Sequence, residues 1–222
     1  MALLHVLRVF TGAGGIHGNA LGVVLDGRAV ADHERQGLAA QIGFSETVFV
    51  DDRAEGRVRI HTPAVELPFA GHPLVGTAWL LRHEEAAVDT LRPPAGCVTV
   101  SYEGDRVFVA SRPEWSPDYE LVDCGSAAAV EALEGPPGGG DLVMAFAHAG
   151  DGEVRARVFP RSLGIAEDEA TGSAAVRLGA QLGRPVTIRQ GVGSEIEVRP
   201  LDDGRVEVGG RAVLDEVRAL TH

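Results

Sequence analysis

Thr62-Pro63-Ala64-Val65-Glu66-Leu67-Pro68-Phe69-Ala70-Gly71-His72 is the stretch on which the fold turns. It follows a strand-like run at 57–61 and opens into 73–82, where Leu74 with Ala78 and Val75 with Trp79 recur at i, i+4, as on the buried face of a helix. The same succession occurs later: strand-like 156–159, the turn 160–172, then 173–182 with Ala174, Leu178 and Leu182 at helical spacing. Strand, proline, acidic residue, glycine and helix, used once per half, indicate an internal duplication. Two similar lobes follow from it, with the corresponding helix starts facing each other across a cleft.

Working outward, short β-rich segments at 4–10, 20–25, 47–50, 98–101 and 106–110 end in glycine-containing turns, and 32–42 has helix-friendly composition with Asp32 as its N-cap. Arg112-Pro113-Glu114-Trp115-Ser116-Pro117 breaks any periodic pattern and places the link between lobes at 111–118. Gly135-Pro136-Pro137-Gly138-Gly139-Gly140 is a second flexible stretch, inside the later lobe. The expected division is a first lobe at 1–112 with Glu46 and the Gly71-His72 helix start, and a second, shortened lobe at 113–208 with Asp168 and the Gly172-Ser173 helix start. A C-terminal segment at 209–222 returns to the first lobe.

With 222 residues, 45% hydrophobic and 23% charged, the chain has an ordinary globular composition, with length enough to bury roughly 70% of its unfolded surface. Acidic residues outnumber basic ones 32 to 20 and arginine is nowhere concentrated, so no nucleic-acid partner is expected. All 20 basic residues are arginine. The absence of lysine excludes a Schiff-base lysine, a pyridoxal-phosphate anchor and a phosphate-binding P-loop. Cys97 and Cys124 lack CxxC spacing and read as reduced thiols. The opening MALLHVLRVFTG is interrupted at Arg8, too soon for a signal peptide, and no apolar run approaches membrane-spanning length; the expectation is a cytoplasmic protein without a membrane partner.

Chemistry concentrates at the two helix starts. A glycine before a buried helix lets backbone N–H groups approach a ligand, and the first N–H groups of a helix have no internal partner. Gly71-His72 and Thr171-Gly172-Ser173 are therefore expected to hold an anion. The plainer alternative is a pair of tight turns with Ser173 as a helix cap; recurrence in both halves favours binding. Glu46, at the entry to an apolar strand, should have a raised pKa suited to moving a proton from carbon, the alternative being an edge-strand glutamate facing water. Asp168 could equally be part of an exposed acidic loop. Of eight histidines, His72, between glycine and proline, is the best-placed candidate. Gly12-Ala13-Gly14-Gly15-Ile16-His17 fails as a dinucleotide loop, because a strand follows it. Gly43-Phe44-Ser45-Glu46-Thr47 lacks the second glycine of a nucleophile elbow, and His83-Glu84-Glu85-Ala86-Ala87 lacks the second histidine of a zinc site.

Val9-Phe10-Thr11 with Gly18-Asn19, then Ser45-Glu46-Thr47, then Leu67-Pro68-Phe69-Ala70-Gly71-His72-Pro73, then Glu167-Asp168 followed by Ala170-Thr171-Gly172-Ser173-Ala174, resemble in order and wording the PhzF-like phenazine-biosynthesis isomerase family. Gln190-Gly191 is similar as well. The resemblance implies an α+β, diaminopimelate epimerase-like fold: two pseudo-symmetric lobes, each a curved sheet wrapped around a central helix. The second lobe is shortened between Cys124 and Met144, where the glycine–proline stretch stands in place of a strand and helix. The resemblance further implies a cofactor-independent isomerase, without a metal, acting on a small anionic carboxylate as a homodimer. Glu46 would be its general acid/base, joined by His72 and Asp168, with Gly71, Thr171, Gly172 and Ser173 positioning the substrate and Asn19 reaching its far end. Related epimerases carry two cysteines at the helix starts, which Cys97 and Cys124 do not match. Glu169 stands where the family usually has proline. Two other readings are a catalytically silent small-molecule-binding or interaction paralogue of the same fold and a serine hydrolase through Ser45.

Overall fold

The computed structural model describes residues 2–220. In chain order its strands are β1 (Leu3–Thr11), β2 (Asn19–Val24), β3 (Glu46–Asp52), β4 (Arg57–His61), β5 (Glu66–Leu67), β6 (Thr90–Leu91), β7 (Val98–Glu103), β8 (Arg106–Ser111), β9 (Glu120–Asp123), β10 (Leu142–Gly150), β11 (Glu153–Pro160), β12 (Val186–Gln190), β13 (Ser194–Pro200) and β14 (Val206–Ala219). The helices are α1 (Asp32–Ile42), α2 (Gly71–His83), α3 (Ala127–Glu131) and α4 (Gly172–Leu182). The strands form one mixed sheet with the order β5-β4-β3-β2-β1-β14-β13-β12-β11-β10-β9; β8 pairs with β14, β7 with β8, and β6 with β7.

The duplication extends further than the turn-to-helix pattern from which it was inferred. In the first half, β2 and β3 run parallel with α1 as the connection, β4 returns antiparallel, and a turn leads into α2. In the second half, β9 and β10 run parallel with α3 as the connection, β11 returns antiparallel, and a turn leads into α4. Parallel neighbours cannot be joined by a tight hairpin, so each half needs its crossover. α1 has 11 residues and α3 has 5. The later crossover is thus reduced to little more than one turn, which corrects the expectation that the glycine–proline stretch replaces the helix outright. Ser126 caps the remnant, its hydroxyl accepting from the Ala129 N–H at 3.2 Å.

β14 ties the halves together. Its first residues lie between β13 and β8, and from Arg211 to Ala219 it pairs with β1. Along β1 the side chains alternate: Leu4 and Val6 join a small cluster with Leu38 of α1 and Phe49, while Leu7 and Val9 join the main core around α2 and α4. α2 packs against β1, β2, β3, β8 and β14, and α4 against β13 and β14. Each fully buried leucine or valine here is worth roughly 1.5–3 kcal/mol, and α2 alone contributes Leu74, Val75, Leu80 and Leu81 at 0% exposure.

One cap differs from expectation. Ala31, not Asp32, is the N-cap of α1. Asp32 is instead the first helical residue, where its charge suits the helix dipole and lies 3.3 Å from Arg35 Nη2. Cys97 is exposed, Cys124 half-buried, and both are free thiols. Among the described residues no helix is long and apolar enough to cross a membrane, and no group of three or more His, Cys, Asp or Glu side chains could hold a metal ion.

Candidate active site

α2 and α4 touch at their first residues. A Cβ on Gly71 would lie 3.0 Å from the Gly172 Cα, and a Cβ on Gly172 would lie 2.8 Å from the His72 backbone nitrogen. Only glycine at both places allows this approach. Two sets of unpaired N–H groups and two positive dipole ends are thereby brought to one spot. Thr171 is the N-cap of α4, so Ser173 is not its cap. The Ser173 hydroxyl is paired with Tyr119 Oη at 3.2 Å.

Glu46 opens β3, which lies between β2 and β4 and is not an edge strand. Its side chain is 14% exposed, and Oε2 stands 3.5 Å from His72 Nδ1. Burial pushes the Glu46 carboxyl from 4.5 up to about 7, against the opposing pull of a hydrogen bond with Ser45. Burial drives His72 the other way, from 6.5 down to about 4, although the charge of Asp168 and a backbone hydrogen bond at Ala20 oppose it. The imidazole is therefore neutral at pH 7. Glu46 Oε2 and His72 Nε2 are both buried without a hydrogen-bond partner.

Asp168 completes the group. Burial first, and then repulsion from Glu46, raise its carboxyl from 3.8 to about 6. Oδ1 accepts from Asn19 Nδ2 at 2.8 Å and Oδ2 from Thr171 Oγ1 at 2.6 Å. Gln190 grips the same loop: Nε2 donates to the Asp168 carbonyl at 2.8 Å and to Thr171 Oγ1 at 2.9 Å, while Oε1 accepts from the Thr171 N–H at 3.1 Å.

A cavity of about 320 Å³ opens over these groups. Seven of the eight residues singled out from the sequence line it: Glu46, Gly71, His72, Asp168, Thr171, Gly172 and Ser173. Asn19 does not. It is 7% exposed, and its amide donates to both Asp168 and the Ala170 carbonyl, so its donors are used in holding Asp168 and the loop that follows. Apolar side chains supply much of the remaining lining, with Phe69 against Trp115 at a ring-centroid distance of 6.0 Å, and Pro117, Leu163 and Ile165. Among the described residues no arginine lines the cavity, so the donors available there to an anion are the backbone N–H groups and neutral side chains.

Sequence reasoning missed Trp115, which it read only as part of the link at 111–118, and Tyr119, the residue that follows that link. A signal was present: of two tryptophans and two tyrosines in the chain, one of each falls within five residues at 115–119. Burial raises the Tyr119 phenol to about 12, so it stays a neutral hydrogen-bonding wall. Gln190 was noted as part of the resemblance, but the role of its amide in holding the Asp168 loop was not foreseen.

This fold and site define an α+β enzyme scaffold of the epimerase-like type, with its candidate machinery where two duplicated helix starts meet. A family model described as phenazine biosynthesis-like protein, PhzC-PhzF, matches residues 7–154. The trans-2,3-dihydro-3-hydroxyanthranilate isomerase of Pseudomonas fluorescens is 30% identical over 260 aligned positions, covering 89% of this chain and 92% of that protein. A phenazine biosynthesis PhzC/PhzF protein from Clostridium difficile has the same fold, with a TM-score of 0.81 at 18% identity over 100% of both chains. A predicted epimerase from Pseudomonas aeruginosa superposes with a TM-score of 0.77 at 25% identity, again over 100% of both chains. The chain belongs to the phenazine biosynthesis-like PhzC-PhzF family and is an enzyme of the isomerase class.

Two results are expected. Gly172→Ala forces the helix starts apart and costs roughly 1–3 kcal/mol as overpacking does; an unchanged denaturation midpoint would contradict the contact. The second concerns Glu46. Because its folded pKa of about 7 exceeds the ordinary 4.5, the folded chain binds the extra proton between those values and stability falls as pH rises through that window. Glu46→Gln removes the loss, so its melting temperature relative to wild type rises between pH 5 and pH 8, corresponding to about 2–3 kcal/mol. An equal offset at both pH values would contradict the burial of the carboxylate.

Proposed function

We propose that the chain is a cofactor-independent isomerase that moves a proton between two carbons of a small carboxylate substrate in this cavity, with Glu46 as general acid/base. The observation that carries the reading is a buried glutamate with a near-neutral pKa beside the joined helix starts. A group that must both take and return a proton works best when its pKa lies near the working pH.

In this reading the substrate carboxylate sits against the N–H groups of Gly71, Gly172 and Ser173. The Glu46 carboxylate removes a proton from a carbon made acidic by an adjacent π-system or carboxyl group. The electron pair of that C–H bond moves into the substrate's π-system, and the negative charge that develops is held by the same N–H groups. Glu46, now a carboxylic acid, delivers its proton to a second carbon and is regenerated. Neutral His72 orients Glu46 without competing for the proton. Asp168, fixed by Asn19 and Thr171, positions a polar group of the substrate. Phe69 and Trp115 keep water from the reacting carbons.

The named activity of the Pseudomonas fluorescens relative makes trans-2,3-dihydro-3-hydroxyanthranilate the first compound to try. The lobe boundaries at 1–112, 113–208 and 209–222 are part of the same proposal, supported by the pairing of β14 with β1. So are a cytoplasmic location and a homodimer, on the resemblance.

Incubation with that compound in D₂O is expected to give label at carbon and a shifted double bond. Glu46→Gln, which keeps the shape and removes the base, lowers the rate by roughly 10²–10⁴-fold. A variant with the full rate would overturn the role of Glu46; binding of carboxylates with no label exchange would point to a silent binder.

A further inference from the structure

The loop carrying Asp168 is held by two arms. Gln190 is one, through its bonds to the Asp168 carbonyl and to Thr171. The other is Glu169, to which the mechanism above gives no task. Its carboxylate accepts from the Val192 N–H at 3.0 and 3.1 Å and from Ser194 Oγ at 2.9 Å. Ser194 is fully buried, and its Oγ in turn accepts from the Gly18 N–H at 3.1 Å. Gly18 precedes Asn19, whose amide donates to Asp168 Oδ1.

These contacts close a ring: Asp168, Glu169, Ser194, Gly18, Asn19 and back to Asp168. Its members come from three segments far apart in sequence, the turn before α4, the start of β13 and the entry to β2. Glu169 forms no ion pair among the described residues, and it is half-buried. A glutamate serving only solubility would point to water. This one accepts from a backbone N–H and a buried hydroxyl, which orders the segments that supply them.

We propose that Glu169 is a positioning residue for the proton transfer, locking the 168–171 loop to the β12–β13 turn and, through Ser194, to Gly18, so that Asp168 keeps its station in the cavity. The proposal rests on the reading of this cavity as the isomerase site. Without the lock, the loop lifts from its bed, water reaches the Asp168 carboxyl, and Asp168 moves away from Glu46 and His72, the titratable groups that face it. Both changes return Asp168 toward the ordinary carboxylate range, because burial and Glu46 are the main causes of its displacement.

The test is a ¹³C NMR titration of the Asp168 and Glu46 carboxyls in the full chain, in wild type, Glu169→Ala, Glu169→Gln and Ser194→Ala. Glu169→Ala should lower the Asp168 value by about one unit, a tenfold change in proton affinity, with a smaller fall at Glu46 through the repulsion the two carboxyls share. Glu169→Gln keeps an acceptor for Val192 and Ser194 and restores most of the wild-type value. Ser194→Ala breaks the ring at its next link, shifts Asp168 in the same direction, and serves if Glu169→Ala fails to fold. In turnover, Glu169→Ala lowers kcat more than it raises KM. An Asp168 titration that neither Glu169→Ala nor Ser194→Ala alters would overturn the proposal. So would Asp168 and Glu46 shifting equally without rescue by glutamine, the mark of general loosening. A wild-type chain that exchanges no label would sink the isomerase reading, while the titration would still decide what Glu169 does.

Discussion

Two helices are pressed together at their positive ends, and the rest of the site depends on that contact. Like partial charges facing each other are unfavourable by themselves. The arrangement persists because each helix is anchored elsewhere: α2 through apolar residues on most of its surface, α4 through its face on β13 and β14. With both ends fixed by packing, Gly71 and Gly172 need only leave room, and they do so by having no side chain. The converging N–H groups then face a cavity in which the Glu46 and Asp168 carboxyls are raised toward neutrality by burial and the His72 imidazole beside them is neutral.

Much of this was legible from residue order because it is written in local spacing. The i, i+4 pairs Leu74/Ala78 and Ala174/Leu178 disclosed α2 and α4, and the shared pattern before them disclosed the duplication. What remained hidden depends on partners distant in sequence. The parallel pairs β2/β3 and β9/β10 leave no period of their own, so the full repeating unit appeared only with the sheet. Asn19 follows Gly18 at the entry to β2, and its bonds to Asp168 and Ala170, about 150 residues away in the chain, leave no local trace in the sequence. Asp32 has the composition of a cap, but the chain turns one residue earlier.

The connection between halves shows how a segment without periodicity can still matter. Residues 113–119 carry no repeating pattern because they form no long helix or strand; proline fixes their course and the aromatic rings fill one wall of the cavity. Similarly, Glu169 sits in a turn without periodicity and accepts from donors on the neighbouring β12–β13 connection. The shortened crossover at α3 lies away from these contacts, so its reduction leaves the meeting of α2 and α4 intact.

The central claim is that one anion pocket is built jointly by the two helix starts with Glu46 at reach of the bound molecule. A crystal structure with a cyclic, unsaturated carboxylate bound tests it most directly. The account predicts carboxylate oxygens about 3 Å from the N–H groups of Gly71 and of Gly172 or Ser173 together, with a Glu46 oxygen roughly 3–3.5 Å from a ring carbon. A ligand held by only one helix start, or one whose carbons lie beyond the reach of Glu46, would contradict it.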